Sequence, residues 1–459
     1  MRLLLPGLTL WCIILLQFSS VARAQSSKLD PVSAAQAGPP GRSLSSNDAL
    51  ERRPTVALTL TDAETRALRN QPRIQAAQLR TQAAGREISA YRSGYFPQAY
   101  GNVTAVEANG DTAVAAGALT TSSISTRTAA GASLLQMITD FGHTSNLVHA
   151  ARFQGKATAQ NEETTRQAIL SAVQSAYFVT EAAQSVRQTA QSVLDYRRLT
   201  LNQLSALAQS QLRSTLDVQF AQVLVSEAEL AVVRAQTNVE KAQAQLTAAM
   251  GEEQAVNFTL QDEPLPAVPD PDPANYVAEA IADRPDLKAL HLHSQSEMSQ
   301  ARAERDLNYP TLNALATGGE VPIHDSTIHR EYGAVGVNLN IPIFNGRQYS
   351  ERAAADNLEA RAADKDASSL EVNIVRDVRM TWADARDAYL QIAVTQRLLE
   401  EANVAMRLAQ ARYDAGLGSI VELNQAQLNQ TSALIGAATA KFDYQRAMSA
   451  FHFTLGDLH

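Results

Sequence analysis

The fold is decided by residues 347–415, which read RQYSERAAADNLEARAADKDASSLEVNIVRDVRMTWADARDAYLQIAVTQRLLEEANVAMRLAQARYDA. This stretch contains neither glycine nor proline, and it is rich in Ala, Leu, Glu, Gln and Arg, which favour helix. A continuous helix of this length would extend for about 100 Å at ~1.5 Å per residue. Because no compact domain needs such a helix, we predict that it packs along its length in a coiled coil or bundle.

An earlier part of the chain has the same character, and the two parts belong to an internal duplication. The region between Gly155 and Gly251 also lacks glycine and proline, and RSTLDVQFAQ (213–222) matches GSIVELNQAQ (418–427). The Pro-rich segment PLPAVPDPDP (264–273) separates the copies. We therefore predict a first repeat over 56–263, an inter-repeat bridge over 264–273 and a second repeat over 274–459.

Each repeat is predicted to contain a helix, two strands, a long helix and a shorter helix. Val335, Val337 and Leu339 alternate with small or polar residues, as do the apolar residues of 312–316. Strands are also predicted near 98–107 and 127–136, with weaker alternation. One apolar and one polar face is typical of a strand between lipid and a water-filled lumen. The alternative is a soluble hairpin packed on its own helices.

Four such strands could not close a sheet on themselves. An open sheet edge is not tolerated within lipid, so at least two chains would have to contribute strands. A dimer would supply eight strands and a trimer twelve, and only the larger ring would leave a passage. Where each strand meets its helix, Gly142 and Gly346 are predicted to be structural, because glycine permits a sharp change of direction.

The N-terminal residues indicate export. Met1 and Arg2 precede a short apolar stretch that ends in Ala22-Arg23-Ala24, which predicts a signal peptide over 1–24; a membrane anchor is the alternative. An extended linker is predicted over 25–55. The one cysteine, Cys12, lies in the predicted signal peptide. The formal net charge of −8 argues against a nucleic-acid partner, which would require a concentrated basic surface.

Together, these features resemble the TolC/OprM outer membrane factor family. The local motifs are ALRNQPRIQAA (67–77), AIADRPDLKAL (280–290), SGYFPQ (93–98), LNYPTL (307–312), ITDFG (138–142), IPIFNG (341–346) and ARYDAGLGSIVELNQAQL (411–428). The resemblance implies a mainly α chain with a small β part and four strands. It also implies a homotrimer with a twelve-stranded β-barrel in the bacterial outer membrane, continued by an α-helical tunnel into the periplasm.

The resemblance further implies a passive export duct of a tripartite efflux pump or a type I secretion system. Its partners would be a periplasmic adaptor protein, an inner-membrane transporter and outer-membrane lipid. One alternative is a periplasmic coiled-coil adaptor or scaffold, but such proteins normally carry one helical hairpin and no twofold duplication. A diffusion porin is a second alternative, but it would need many more strands.

The turns between the paired helices are the candidate functional residues. By resemblance, the adaptor would dock on Arg213 and Ser214 of the first turn and on Gly416, Leu417, Gly418 and Ser419 of the second. Asp217 and Glu422 would narrow the periplasmic entrance as rings of carboxylates. The plainer alternatives are a surface turn, and acids placed in the first turn of a helix by its dipole.

No catalytic residue, cofactor or metal site is predicted. The chain lacks HExxH, GxSxG and phosphate-loop motifs. On a helix, His291 and His293 would point to opposite sides, which is poor geometry for one metal ion. His324, Asp325 and His329 fall in a predicted loop between strands. The sequence therefore does not predict an enzyme.

Overall fold

The computed structural model describes residues 56–107, 113–116, 119–123, 127–211, 214–253, 258–323 and 329–458 of the 459-residue chain. The predicted signal peptide (1–24) and linker (25–55) lie outside these ranges, as do Arg213, His324 and Asp325.

The described ranges contain eight α-helices and eight β-strands. The helices are α1 (Leu60–Asn70), α2 (Pro72–Arg92), α3 (His143–Gln209), α4 (Thr215–Ala249), α5 (Ala274–Asp283), α6 (Pro285–Asp306), α7 (Gln348–Asp414) and α8 (Ile420–Leu455). The strands are β1 (Val56–Leu58), β2 (Gln98–Val106), β3 (Ala113–Ala116), β4 (Leu119–Ser123), β5 (Arg127–Thr139), β6 (Phe258–Leu260), β7 (Thr311–Ile323) and β8 (Glu331–Asn340). The chain is thus mainly α with a small β part, as predicted.

The two long helices confirm the central prediction. Helices α3 and α7 each run for 67 residues without a break. Each is followed by a helix of about half its length, α4 with 35 residues and α8 with 36, and packs against it. Small residues such as Ala360, Ala367 and Ala385 are buried along α7, which lets neighbouring helices approach closely. None of the helices in the described ranges is both long and apolar enough to cross a membrane.

The predicted strands form one four-stranded sheet in the order β2-β5-β7-β8, and every neighbouring pair is antiparallel. The β5–β7 pairing joins the hairpins of the two repeats, with Leu134 opposite Ala316. Strands β2 and β8 form the two edges. Val335, Val337 and Leu339 of β8 are all exposed, which agrees with the predicted apolar face. A short hairpin of β3 and β4 was not predicted.

A second unpredicted element ties the two ends of the first repeat together. Strands β1 and β6 pair in parallel, with Leu58 opposite Leu260. The hydroxyl of the fully buried Tyr177 donates to the Gln261 carbonyl at 2.7 Å and lies 3.1 Å from the Leu58 carbonyl. This small pair lies in an apolar core with Ile169, Val173, Leu246 and Met250. The long helix α3 is thereby fixed to both ends of its own repeat.

The Pro-rich segment 264–273 is held against the helices of the second repeat. The Tyr444 hydroxyl donates to the Ala267 carbonyl at 2.8 Å, and the Trp382 indole donates to the Asp270 carbonyl at 2.9 Å. Tyr444 is fully buried. The segment therefore covers part of the core of the second repeat besides connecting the two repeats.

Glycines occupy the two strand-to-helix joints, as predicted. Gly142 has φ +120° and precedes α3, while Gly346 has φ +63° and lies just before α7. The Asp140 carboxylate caps α3 by accepting from the Thr144 amide at 2.7 Å. A Cβ on Gly142 would come within 2.9 Å of the Asp306 carboxylate, whereas the space around Gly346 is open. Both joints require positive φ, but only Gly142 is also constrained by a neighbour.

Replacing Gly142 with alanine should therefore destabilise the protein more than the same change at Gly346. Alanine at φ +120° is strained, and we expect a cost of about 1–3 kcal/mol, against about 1 kcal/mol at Gly346. Thermal unfolding of the two purified variants measures the difference. Equal melting temperatures would show that the Asp306 contact does not constrain the joint.

Candidate functional site

The structure brings both helical turns to one place. Leu204 of α3, Ala221 of α4, Tyr413 of α7 and Leu423 of α8 are buried in a single apolar group that also includes Ala409, and we call these five residues the tip cluster. The turns were predicted separately in the two repeats. The helix ends beside the two turns therefore share one apolar cluster.

The second turn is shaped by its glycines. Helix α7 ends at Asp414, and Gly416 follows with φ +73°. The Leu417 amide donates to the Arg412 carbonyl at 2.8 Å, and the Gly416 amide donates to the Tyr413 carbonyl at 3.0 Å. Many helices end in this manner, with a residue in the left-handed conformation and with amides that donate back to carbonyls of the last helical turn. The Leu417 side chain is 74% exposed as a result.

Serines begin the helices that follow the turns. The Ser419 hydroxyl accepts from the Glu422 amide at 3.1 Å, and the Ser214 hydroxyl accepts from the Leu216 amide at the same distance. Each serine satisfies an amide that the first turn of a helix leaves without a partner. In the turn that connects α3 to α4, Gln211 takes the left-handed conformation with φ +58°. Ser214 and Ser419 are thus helix caps, whatever further role they have.

Tyr413 and Asp217 connect the two repeats. The Tyr413 hydroxyl donates to the Asp217 carboxylate at 2.7 Å, and we call this contact the tip hydrogen bond. Tyr413 is buried and Asp217 is half-buried. A hydrogen bond to a charged acceptor contributes about 1.5–3 kcal/mol, more than one between neutral groups. The contact joins the end of α7 to the beginning of α4.

Glu422 is engaged within its own hairpin. Its carboxylate lies 3.1 Å from the Arg412 guanidinium, which also donates to the Leu417 carbonyl at 3.3 Å. Both charged side chains are about half exposed, so the pair contributes at most about 1 kcal/mol. Arg412 therefore fixes the backbone of the second turn as well as the direction of Glu422.

The structure places the described residues of the predicted site at the tip. Asp217 and Glu422 both lie at the tip, as do the four predicted residues of the second turn, whereas Arg213 is outside the described ranges. Within one chain each acid has a partner, so their proposed action as rings of carboxylates stays a prediction. The partners Tyr413 and Arg412 were missed, although both stand in ARYDAG (411–416) within one helical turn of Gly416.

The histidines do not form a common site. On α6, His291 lies 3.7 Å from the Glu371 carboxylate, while His293 lies 3.3 Å from the Gln154 side chain. In the described ranges, no three His, Cys, Asp or Glu side chains are grouped as a metal site requires. His329 lies just before β8.

Several curated proteins resemble part of this sequence, including one from Escherichia coli and one from Bordetella pertussis. The multidrug resistance outer membrane protein MdtP of Escherichia coli O6:H1 is 24% identical over 45% of this chain and 43% of its own length. The protein CyaE of Bordetella pertussis is 26% identical over 64% of this chain and 63% of its own length. The chain therefore matches less than two thirds of each relative.

The fold agrees with that of solved outer-membrane channels. The crystal structure of the CmeC outer membrane channel of Campylobacter jejuni superposes with a TM-score of 0.72, at 16% identity, over 87% of this chain and 85% of that one. At such low identity this likeness shows the fold alone. The sequence profile of the outer membrane efflux protein family matches residues 65–252 and 276–457, one match in each predicted repeat. Since these two matches cover most of the chain, the protein belongs to the outer membrane efflux protein family.

Proposed function

We propose that this chain is the outer-membrane channel subunit of a tripartite efflux pump or a type I secretion system. It would serve as a passive export duct and not as an enzyme. The observation that carries the proposal is the separation of the sheet from the tip. Helices α3 and α7 each begin a few residues after a strand of the sheet and end at the tip 67 residues later, about 100 Å away.

The open edges of the sheet support a homotrimer. The four strands alternate in direction, so β8 of one copy could pair antiparallel with β2 of the next. Three copies would close a ring of twelve strands, wide enough to leave a passage. The exposed apolar side chains Val335, Val337 and Ile343 would then face outer-membrane lipid. Closure would satisfy the backbone groups of both edges, which lipid cannot do.

The tip is the proposed docking and gating end. Leu417 and its neighbours Gly416, Gly418 and Ser419, together with Arg213 and Ser214, would contact a periplasmic adaptor that is itself coupled to an inner-membrane transporter. The high exposure of Leu417 supports this role. The tip hydrogen bond would hold the entrance narrow, with Asp217 and Glu422 lining it. Energy would come from the transporter, since the sequence has no nucleotide-binding motif.

Fractionation of a Gram-negative host tests this proposal. The full chain is expressed with its own N-terminus, the membranes are separated, and the mass of the detergent-extracted protein is measured. We expect the protein in the outer membrane as a trimer lacking its first residues. A soluble periplasmic monomer would refute the duct and favour the adaptor or scaffold alternative.

A further inference from the structure

A buried arginine lies on α3 about three helical turns before that helix ends at Gln209, just above the tip cluster. Arg197 of α3 is only 6% exposed. It lines a cavity of about 380 Å³ between α3, α7 and α8, and a second of about 190 Å³ between α3, α4 and α8. We call these two spaces together the Arg197 cavity. The guanidinium thus stands between two spaces at a point where both helical hairpins meet.

The Arg197 guanidinium has no anionic partner among the described residues. Its Nη1 atom is buried and makes no hydrogen bond, and no carboxylate of those residues lies within the 4.0 Å of an ion pair. Burial lowers the pKa of Arg197, and the influence of Tyr196 and Glu227 only partly offsets this effect. An arginine nonetheless keeps its charge in proteins. The fold therefore contains a buried cation without an ion pair among the described residues, while the exposed Glu227 lines only the smaller of the two spaces.

Burying a charged guanidinium costs free energy of folding unless an anion is buried with it. A buried charge without a partner costs several kcal/mol, and buried arginines are normally paired with carboxylates. The next residue shows the usual arrangement, because Arg198 is exposed and lies 2.8 Å from the Glu229 carboxylate. This contrast between neighbours indicates that a ligand supplies the missing negative charge of Arg197.

The walls of the cavity indicate what kind of anion fits. A space of about 380 Å³ is within the range of small-molecule sites and is far larger than a single inorganic ion needs. Val193, Met406 and Leu434 provide apolar wall. Three of the wall hydroxyls, those of Thr189, Ser192 and Thr431, donate to carbonyls of their own helices, and the Arg197 guanidinium is the one charged donor of this wall. The planar fork of arginine matches a carboxylate in particular.

We propose that the Arg197 cavity binds a small amphiphilic carboxylate. The carboxylate would accept hydrogen bonds from the Arg197 guanidinium, and the apolar chain would lie against Val193, Met406 and Leu434. Since the walls come from both repeats, a bound ligand would bridge the two helical hairpins. This site is distinct from the tip and does not depend on whether the tip docks or gates.

Hexanoate is a suitable probe, with hexanol as its uncharged counterpart. Thermal unfolding of the full-length detergent-extracted protein is followed at constant ionic strength while hexanoate replaces chloride. A ligand that binds only the folded state raises the melting temperature in a saturable way. We expect this rise in the wild type and in Arg198→Met, and we expect Arg197→Met to abolish it. Hexanol should have no comparable effect.

Direct binding of radiolabelled hexanoate keeps the test independent of stability. One site per chain is expected in the wild type, with binding at least tenfold weaker in Arg197→Lys, which keeps the charge but lacks the planar fork. If Arg197→Met does not fold, this lysine variant decides the question. Any of three results would overturn the proposal. These are unchanged hexanoate binding in Arg197→Lys, an equal rise of the melting temperature with chloride, and no response of the wild type to hexanoate. The wild type would fail to respond to hexanoate if a neighbouring subunit supplied the anion that pairs with Arg197.

Discussion

Replacing Tyr413 with phenylalanine should increase the open fraction of the proposed channel at least about tenfold. The change removes only the hydroxyl that donates to Asp217 at 2.7 Å and leaves the ring in the tip cluster. Loss of a hydrogen bond to a charged acceptor costs about 1.5–3 kcal/mol, and 1.4 kcal/mol corresponds to a factor of ten in an equilibrium. Conductance of the reconstituted protein in planar bilayers measures the effect.

Two further variants locate the cause at the tip hydrogen bond. Asp217→Ala, which removes the acceptor, should raise conductance to a similar degree, and combining it with Tyr413→Phe should add little, because both changes break the same contact. Glu422→Ala is the matched comparison, since it removes the half-exposed pair with Arg412 and should change the open fraction less than about fivefold. If Tyr413→Phe conducts like the wild type, the tip hydrogen bond does not hold the entrance closed.

The second large effect concerns Glu181, a buried carboxylate of α3. Burial, with a smaller contribution from nearby Asp262, raises its pKa from 4.5 to about 7. Glu263 raises this pKa further and Lys441 lowers it, while Tyr177 is a further titratable neighbour. The Oε2 atom of Glu181 is buried without a hydrogen bond. Glu181 is therefore predicted to be protonated in the folded protein at mildly acidic pH.

The direction of the pH effect follows from this raised pKa. Between pH 4.5 and about 7 the folded protein holds a proton that the unfolded chain has lost, so stability falls as pH rises through this window. Glu181→Gln removes the titrating group and should therefore reduce the loss of stability as the pH rises. At pH 8 the variant should be more stable than the wild type, on the order of 2–3 kcal/mol. Melting temperatures from pH 5 to 8 measure both the slope and the difference.

An exposed glutamate on the next helix provides the control. Glu240 of α4 is exposed, and Glu240→Gln should leave the pH dependence of the melting temperature unchanged. The prediction for Glu181 would be wrong if both variants and the wild type lost stability in parallel between pH 5 and 8. A parallel loss would indicate that water or Lys441, which contacts Asp262, stabilises the Glu181 charge.

The fold could be predicted from the sequence where local signals are strong. The absence of helix breakers predicts α3 and α7, and period-two alternation predicts β8. By contrast, the pairing of β1 with β6 joins residues that are distant in sequence, and three-residue strands carry no pattern of their own. The repeat boundaries 56–263 and 274–459 remain predictions.

The candidate site was predictable in position but not in its contacts. Glycines and serines at the ends of helices indicate both turns, and the acids follow within one turn. The tip hydrogen bond between Tyr413 and Asp217 could not be predicted, because it depends on how the two repeats pack against each other. The cavity beside Arg197 has no signal in the sequence either, since most arginines are exposed.

The pairing of β1 with β6 has a consequence for the order in which the chain acquires its structure. Residue 58 meets residue 260 only after all of α3 and α4 has been synthesised and exported. Closing so large a loop is entropically unfavourable and slow compared with local contacts. The second repeat differs, because the segment that covers its core, 264–273, emerges before its helices. The core of the first repeat can therefore be completed only after β6 has emerged. The core of the second repeat can be completed as soon as its final helix emerges.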